Sequence, residues 1–135
     1  MKTNEVMIGD WVIGGGLRMQ VTDINNDGYI DLREFKNRSY YRIHFEHLEP
    51  ILITPELLEK NGFERDKNIS LYNAYTGINS RVTLHDDFMS MNSRNMWHVH
   101  IDSEDFCTIA NCELTYLHEL QHLLRICKID FEFSV

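Results

Sequence analysis

The chain has 135 residues, room for one compact domain or two very small ones. Hydrophobic residues make up 43% and charged residues 25%, an ordinary globular balance, and no stretch approaches the ~20 apolar residues of a membrane span. The net charge of −8, with no Lys/Arg cluster, argues against a phosphate-binding surface, so neither nucleic acid nor a membrane is an expected partner.

The first half reads as β. Ile8 to Ile13 forms a short strand that enters the run Gly14-Gly15-Gly16. Leu17, Met19 and Val21 then alternate with polar residues, the signal of a half-buried strand. Asn26-Asp27-Gly28 marks a turn, because Gly takes positive φ without steric cost. Tyr41, Ile43 and Phe45 alternate again. The spacing predicts a helix from Thr54, a capping residue, with Pro55 at its first position and Glu56 in its first turn. It runs to about Lys60 and stops at Asn61-Gly62, where Phe63 can fold back on Leu58.

The second half reads as a meander. Ile69, Leu71 and Tyr75 suggest one strand, Val82 and Leu84 the next, and Phe88, Met89 and Met91 another. Trp97, Val99 and Ile101 alternate with His98 and His100, so one face is apolar and the other carries histidines. A helix is expected over about 114–127, and a terminal strand over Ile129, Phe131, Phe133 and Val135. The expected fold class is α+β. Residues 1–52 would form a small antiparallel β module, an SH3-like barrel or a curled sheet. Residues 53–135 would form an antiparallel meander with two helices.

Residues 23–34 read D-I-N-N-D-G-Y-I-D-L-R-E. A calcium loop wants oxygen at positions 1, 3, 5, 7, 9 and 12 with glycine at 6. Asp23, Asn25, Asp27, the Tyr29 carbonyl, Asp31 and Glu34 supply that pattern around Gly28. The flanks oppose it. An entering helix would contain three glycines, costing roughly 1 kcal/mol each. The alternation of Leu17, Met19 and Val21 is that of a strand, so a hairpin with solvated carboxylates is the simpler expectation.

Residues 118–122 read H-E-L-Q-H. On a helix, His118 and His122 share a side that can hold zinc, and Glu119 can serve as general base. No third ligand follows nearby, and few residues remain to build a cleft. At 100° per residue, Tyr116, Leu117, Leu120, Leu123, Leu124 and Cys127 form the apolar face. His118 and His122 fall opposite with Gln121 and Arg125, an arrangement expected to look into water.

A third group, His98, His100, Cys107 and Cys112, has the right ligand types for zinc. Its H-x-H and C-x4-C spacings do not match a common finger. The three cysteines, Cys107, Cys112 and Cys127, are an odd number, and MKTNEVMIGDWV lacks the apolar run of a secretory signal. Free thiols in the cytoplasm are therefore expected. Gly14-Gly15-Gly16 lacks the lysine of a phosphate-cradling loop.

The segments M-I-G-D-W-V, Q-V-T-D-I, H-L-E-P-I-L-I-T-P-E-L-L-E-K-N-G-F and Y-L-H-E-L-Q-H-L-L-R-I-C span most of the chain. Together they resemble a family of short uncharacterised proteins carried by prophages and mobile elements of anaerobic gut bacteria. The resemblance lends no catalytic residue. It implies that the second histidine or the glutamate of the helical motif is dispensable, and that the 23–34 hairpin varies. The expected function is a non-enzymatic accessory or adaptor protein that binds another protein, its acidity favouring a basic partner. No cofactor is expected. The alternatives are a calcium-binding module through residues 23–34 and a zinc-dependent hydrolase through His118 and His122. An acidic mimic of nucleic acid ranks last, because the charge is not clustered.

Overall fold

The computed structural model describes residues 1–66, 74–86 and 96–135. The chain divides into two compact units, Met1–Ile51 and Leu52–Val135. Among the described residues, each carries a five-stranded antiparallel sheet and the second adds two α-helices, so the fold is α+β. No helix among the described residues is long and apolar enough to cross a membrane.

The first unit comprises β1 (Trp11–Gly14), β2 (Leu17–Ile24), β3 (Tyr29–Glu34), β4 (Ser39–His44) and β5 (Leu48–Pro50), in the sheet order β4-β3-β2-β1-β5. The sheet is not closed into a barrel: β4 and β5 are its edges. Gly15 and Gly16 take positive φ (57° and 81°) in the β1–β2 turn, a conformation that is strained for other residues. Gly28 (φ 87°) does the same between β2 and β3. A 3₁₀ turn, Phe45–His47, leads into β5. Strand alternation sends Val12, Met19, Val21, Ile30, Leu32 and Leu48 into one buried cluster. A bulge between Val21 and Asp23 shifts the β2–β3 register by one residue.

In the second unit, α1 (Pro55–Lys60) starts as its letters require. The Thr54 hydroxyl accepts the Leu57 N–H at 3.2 Å, and Pro55 occupies the first turn. Phe63 returns its N–H to the Leu58 carbonyl at 3.0 Å, closing the helix end around Gly62 (φ 82°). The sheet runs β10-β9-β8-β7-β6 through β6 (Glu64–Arg65), β7 (Ala74–Gly77), β8 (Val82–Asp86), β9 (Trp97–Asp102) and β10 (Thr108–Leu114). Ala74, Val82, Leu84, Val99 and Ile101 are fully buried. The Trp97 indole N–H donates to the Ile53 carbonyl at 3.0 Å, which satisfies a buried polar group. The ring of Phe63 lies over Gly77, where any Cβ would come within 2.7 Å of it.

The second helix, α2 (Leu117–Ile126), is shorter than the expected 114–127, because residues up to Leu114 belong to β10. The expected terminal strand does not form. Residues after Lys128 join no ladder. Instead the Asn61 side chain donates to the Ser134 carbonyl and accepts its N–H, at 2.8 and 2.7 Å. Ile129 and Phe133 are buried, so the strand-like spacing reflects alternate burial of an extended tail. The strand expected around Phe88, Met89 and Met91, and the positions Ile69 and Leu71, lie outside the described residues.

Candidate functional sites

The 23–34 segment is a β-hairpin. Asp23 and Asp31 face each other as cross-strand partners of β2 and β3, and the turn is closed by the Asn25 N–H donating to the Tyr29 carbonyl at 2.9 Å. Successive strand residues point to opposite faces. Ile30, Leu32 and Glu34 therefore point inward, where Glu34 is buried and accepts from the Asn37 amide at 3.2 Å. Asp31 points outward and is clamped by Arg42, Nε to Oδ1 at 2.7 Å and a guanidinium nitrogen to Oδ2 at 3.3 Å. That guanidinium holds the Asp31 carboxyl below the usual aspartate range. Asp27 accepts the Tyr29 N–H, and Asp23 the N–H of Ile24. The six candidate calcium ligands are thus spread along a ladder and over both of its faces. What the tip does form is a shallow cleft of about 480 Å³, lined by Ile24, Asn25, Asn26, Asp27, Gly28 and Phe45.

The H-E-L-Q-H segment is helical, but the expected outward orientation is not what forms. His118 is 6% exposed and Gln121 8%. The buried stripe runs through Leu117, Leu120, Gln121 and Leu124, a turn of the helix about its axis relative to the predicted face. That rotation draws His118 inward and leaves Leu123 half-buried. The His118 ring stacks on Tyr116, centroids 5.9 Å apart, and meets the half-buried His122 ring edge-on at 5.6 Å. Glu119 is engaged as a cap: its Oε1 accepts the N–H groups of Thr115 and Tyr116 at 3.2 and 2.9 Å. A carboxylate so held stabilises the helix start and is turned away from the part of a base on a metal-bound water.

The Cys/His group is divided by the second sheet. Cys112 lies opposite Val99, on the inward face, and burial pushes its thiol up, with Cys127 and Glu119 adding to the shift. Cys107 is exposed in the turn before β10. His98 and His100 occupy the outward face, and there the β8–β9 register adds a residue that local spacing does not suggest. His85 is the cross-strand partner of His98, and Glu113 of β10 is the partner on its other side. The His85 and His98 rings stack at 5.0 Å and 13°. His98 Nε2 lies 3.3 Å from a Glu113 carboxylate oxygen. His100 Nε2 lies 2.9 Å from Asp102 Oδ1 and 3.2 Å from the Thr108 hydroxyl. The alternation Val82-Thr83-Leu84-His85, set against Trp97-His98-Val99-His100, was the available signal for this juxtaposition. Among the described residues, and with the side chains as they stand, no group of three or more His, Cys, Asp or Glu could hold a metal ion.

On the outward face of the first sheet, Trp11, Gln20, Arg33 and Tyr40 form one cross-strand row over β1 to β4. Phe35, the residue after the 23–34 segment, closes the end of this row. Its ring is 5.4 Å from Trp11, and the Arg33 guanidinium stands 4.7 Å from the Phe35 centroid and 5.8 Å from that of Tyr40. Phe35 is 47% exposed and Tyr40 70%. Further along the same face come the Asp31–Arg42 pair and then Tyr29 against His44, ring centroids 5.1 Å apart. Neither protein-family models, nor curated proteins, nor solved structures match this chain, so its sites are read from its own residues.

Proposed function

We propose that this chain is a non-enzymatic protein-binding module of the cytoplasm, an accessory or adaptor of the kind its resemblance to mobile-element proteins implies. Its N-terminal sheet, an SH3-like unit in its short strands and the 3₁₀ turn before its last one, engages an extended, basic segment of a partner polypeptide. One observation carries this reading. Exposed Phe35 and Tyr40 flank the half-buried Arg33 guanidinium in an aromatic–guanidinium cluster on the outward sheet face. Aromatic and arginine side chains dominate the energetics of protein interfaces, and aromatic-lined surfaces suit extended peptides. From this cluster the outward positions of β3 lead to Tyr29 and the cleft at Asp27. A segment of about five extended residues, at ~3.3 Å each, covers that path. Asp27 and Asp23 at its far end, together with the net charge of −8, favour lysine or arginine in the ligand.

A displayed random-peptide library panned on the purified full chain tests this. Basic peptides should be enriched, and Phe35→Ala with Tyr40→Ala should weaken each by roughly tenfold or more while melting stays unchanged. Absence of enrichment, or binding indifferent to both substitutions, would overturn the reading.

A further inference from the structure

We propose that the outward face of the second sheet binds one divalent transition-metal ion, zinc by ligand type, through His85, His98 and His100 with Glu113 as fourth ligand. The argument begins with the backbone. Val82, Leu84, Val99 and Ile101 are fully buried, which commits the alternate residues of β8 and β9 to the other face. His85 and His98 are direct cross-strand partners, whose Cβ atoms stand about 4.5–5.5 Å apart in such pairs. His100 follows two residues along β9, about 6.6 Å away at ~3.3 Å per residue. Glu113 faces His98 from β10. Three imidazoles and a carboxylate are therefore carried on adjoining positions of three paired strands, where little backbone movement can separate them.

Two features of the side chains suit an ion. Its two β9 ligands are reachable, the His98 and His100 side chains being 28% and 38% exposed, while His85 is half-buried with its Nδ1 covered. It is also supported, because Asp102 and Thr108 already hold the His100 ring, as carboxylates and hydroxyls hold metal-ligating histidines elsewhere. The His85 and His98 rings meet face to face, and His98 is paired with Glu113. Binding requires rotation about χ1 and χ2 to bring ring edges, rather than faces, toward a common point about 2.0–2.1 Å from each nitrogen. Such rotations leave the sheet intact. Imidazole nitrogen with one carboxylate is a ligand set for zinc rather than for calcium or magnesium.

Equilibrium dialysis of the tag-free full chain against zinc sulfate, with elemental analysis, is the test. The expected result is one zinc per chain at micromolar free metal. His85→Ala and His98→Ala should each weaken binding by at least about tenfold, and cobalt in place of zinc should give the intense visible absorption of a four-coordinate site. The half-exposed position 100 supplies a variant that leaves the core untouched, and His100→Gln should weaken zinc comparably. His118→Ala with His122→Ala should change nothing, which separates this face from the helical motif. No zinc uptake at micromolar metal, uptake that survives His98→Ala and His100→Gln, or uptake lost with His118 and His122, would each overturn the proposal.

Discussion

The two sheets share a plan and differ in what they turn outward. In each, five antiparallel strands bury an aliphatic face: Val12, Met19, Ile30 and Leu32 in the first, Val82, Leu84, Val99 and Ile101 in the second. Outward, the first carries the row Trp11, Gln20, Arg33, Tyr40. The second carries His85, His98, Glu113 and, beside it, Thr76, Thr83, His100, Asn111. One outward face offers large rings and a guanidinium, which suit a polypeptide. The other offers imidazoles and carboxylates, which suit an ion. Inward residues are interchangeable in kind between the sheets, because burial asks only for apolar volume. The chemistry lies in the outward rows, and those are assembled by register.

The sharpest test of this division compares inward with outward substitutions. Leu32→Ala and Leu84→Ala, both at fully buried positions, should each destabilise the chain by about 2–5 kcal/mol. Thr83→Ala, outward and half-buried, should fall within about 0.5 kcal/mol of the parent. Urea denaturation followed by circular dichroism measures all three. A Leu84→Ala variant no weaker than Thr83→Ala would break the comparison for the second sheet.

A smaller effect separates the two sheets at their glycines. At Gly77 a new Cβ would stand 2.7 Å from two ring atoms of Phe63, itself buried and pinned by the α1 stop. At Gly14 it would meet Ile43 Cδ1 and Met19 Cε at 2.8 Å, the free ends of flexible chains. Gly77→Ala should therefore cost about 1–3 kcal/mol, and Gly14→Ala distinctly less, by the same denaturation measurement. Equal losses would mean that the Phe63 ring yields as readily as an aliphatic tip.

The sequence was legible where a feature is local. Thr54-Pro55 and Asn61-Gly62 delimit α1 because capping is settled within one turn of chain. Asn26-Asp27-Gly28 turns the hairpin because the positive φ of Gly28 is a one-residue property. Alternation revealed which face of β9 is buried. Features that depend on pairing were not legible. His85 and His98 stand 13 positions apart in the sequence, and only the ladder makes them neighbours. The rotation of α2 that buries His118 depends on which flank of the helix is covered, and a helical wheel drawn on hydrophobicity alone favours Leu123 over Gln121. The tail followed the same rule: its alternate apolar residues suggested a strand, but Asn61, more than 70 positions away, took the backbone groups a ladder would have used. The calcium pattern does not describe the geometry of this segment, for a complementary reason. It counts oxygens along the chain, whereas a strand throws consecutive side chains to opposite faces, so Asp31 meets Arg42 outside while Glu34 meets Asn37 inside.

The smallest expected effect concerns the Asp31–Arg42 pair on the outward face of the first sheet, at its β3–β4 edge. Arg42 reaches Asp31 with two guanidinium nitrogens, and this hydrogen bonding, with a smaller contribution from its charge, holds that carboxyl below its ordinary value. The folded state therefore binds the Asp31 proton less tightly than the unfolded chain does. The stabilisation is present above about pH 4, the ordinary aspartate range, and is lost as pH falls through the depressed folded value. Arg42 is exposed and Asp31 half-buried at the surface, so the effect on stability is small and shrinks as salt rises. The titration itself is the readable quantity. Carbon-detected NMR of the Asp31 carboxyl should give a pKa below the aspartate norm in the parent chain, and Arg42→Ala should return it upward. An Asp31 pKa that ignores Arg42→Ala would mean that the pair does not persist in solution. The outward face of the first sheet would then carry an uncompensated carboxylate beside Tyr29 and Asp27, and its attraction for basic ligands would rise. Zinc uptake at the histidine face of the second sheet should not respond to this substitution.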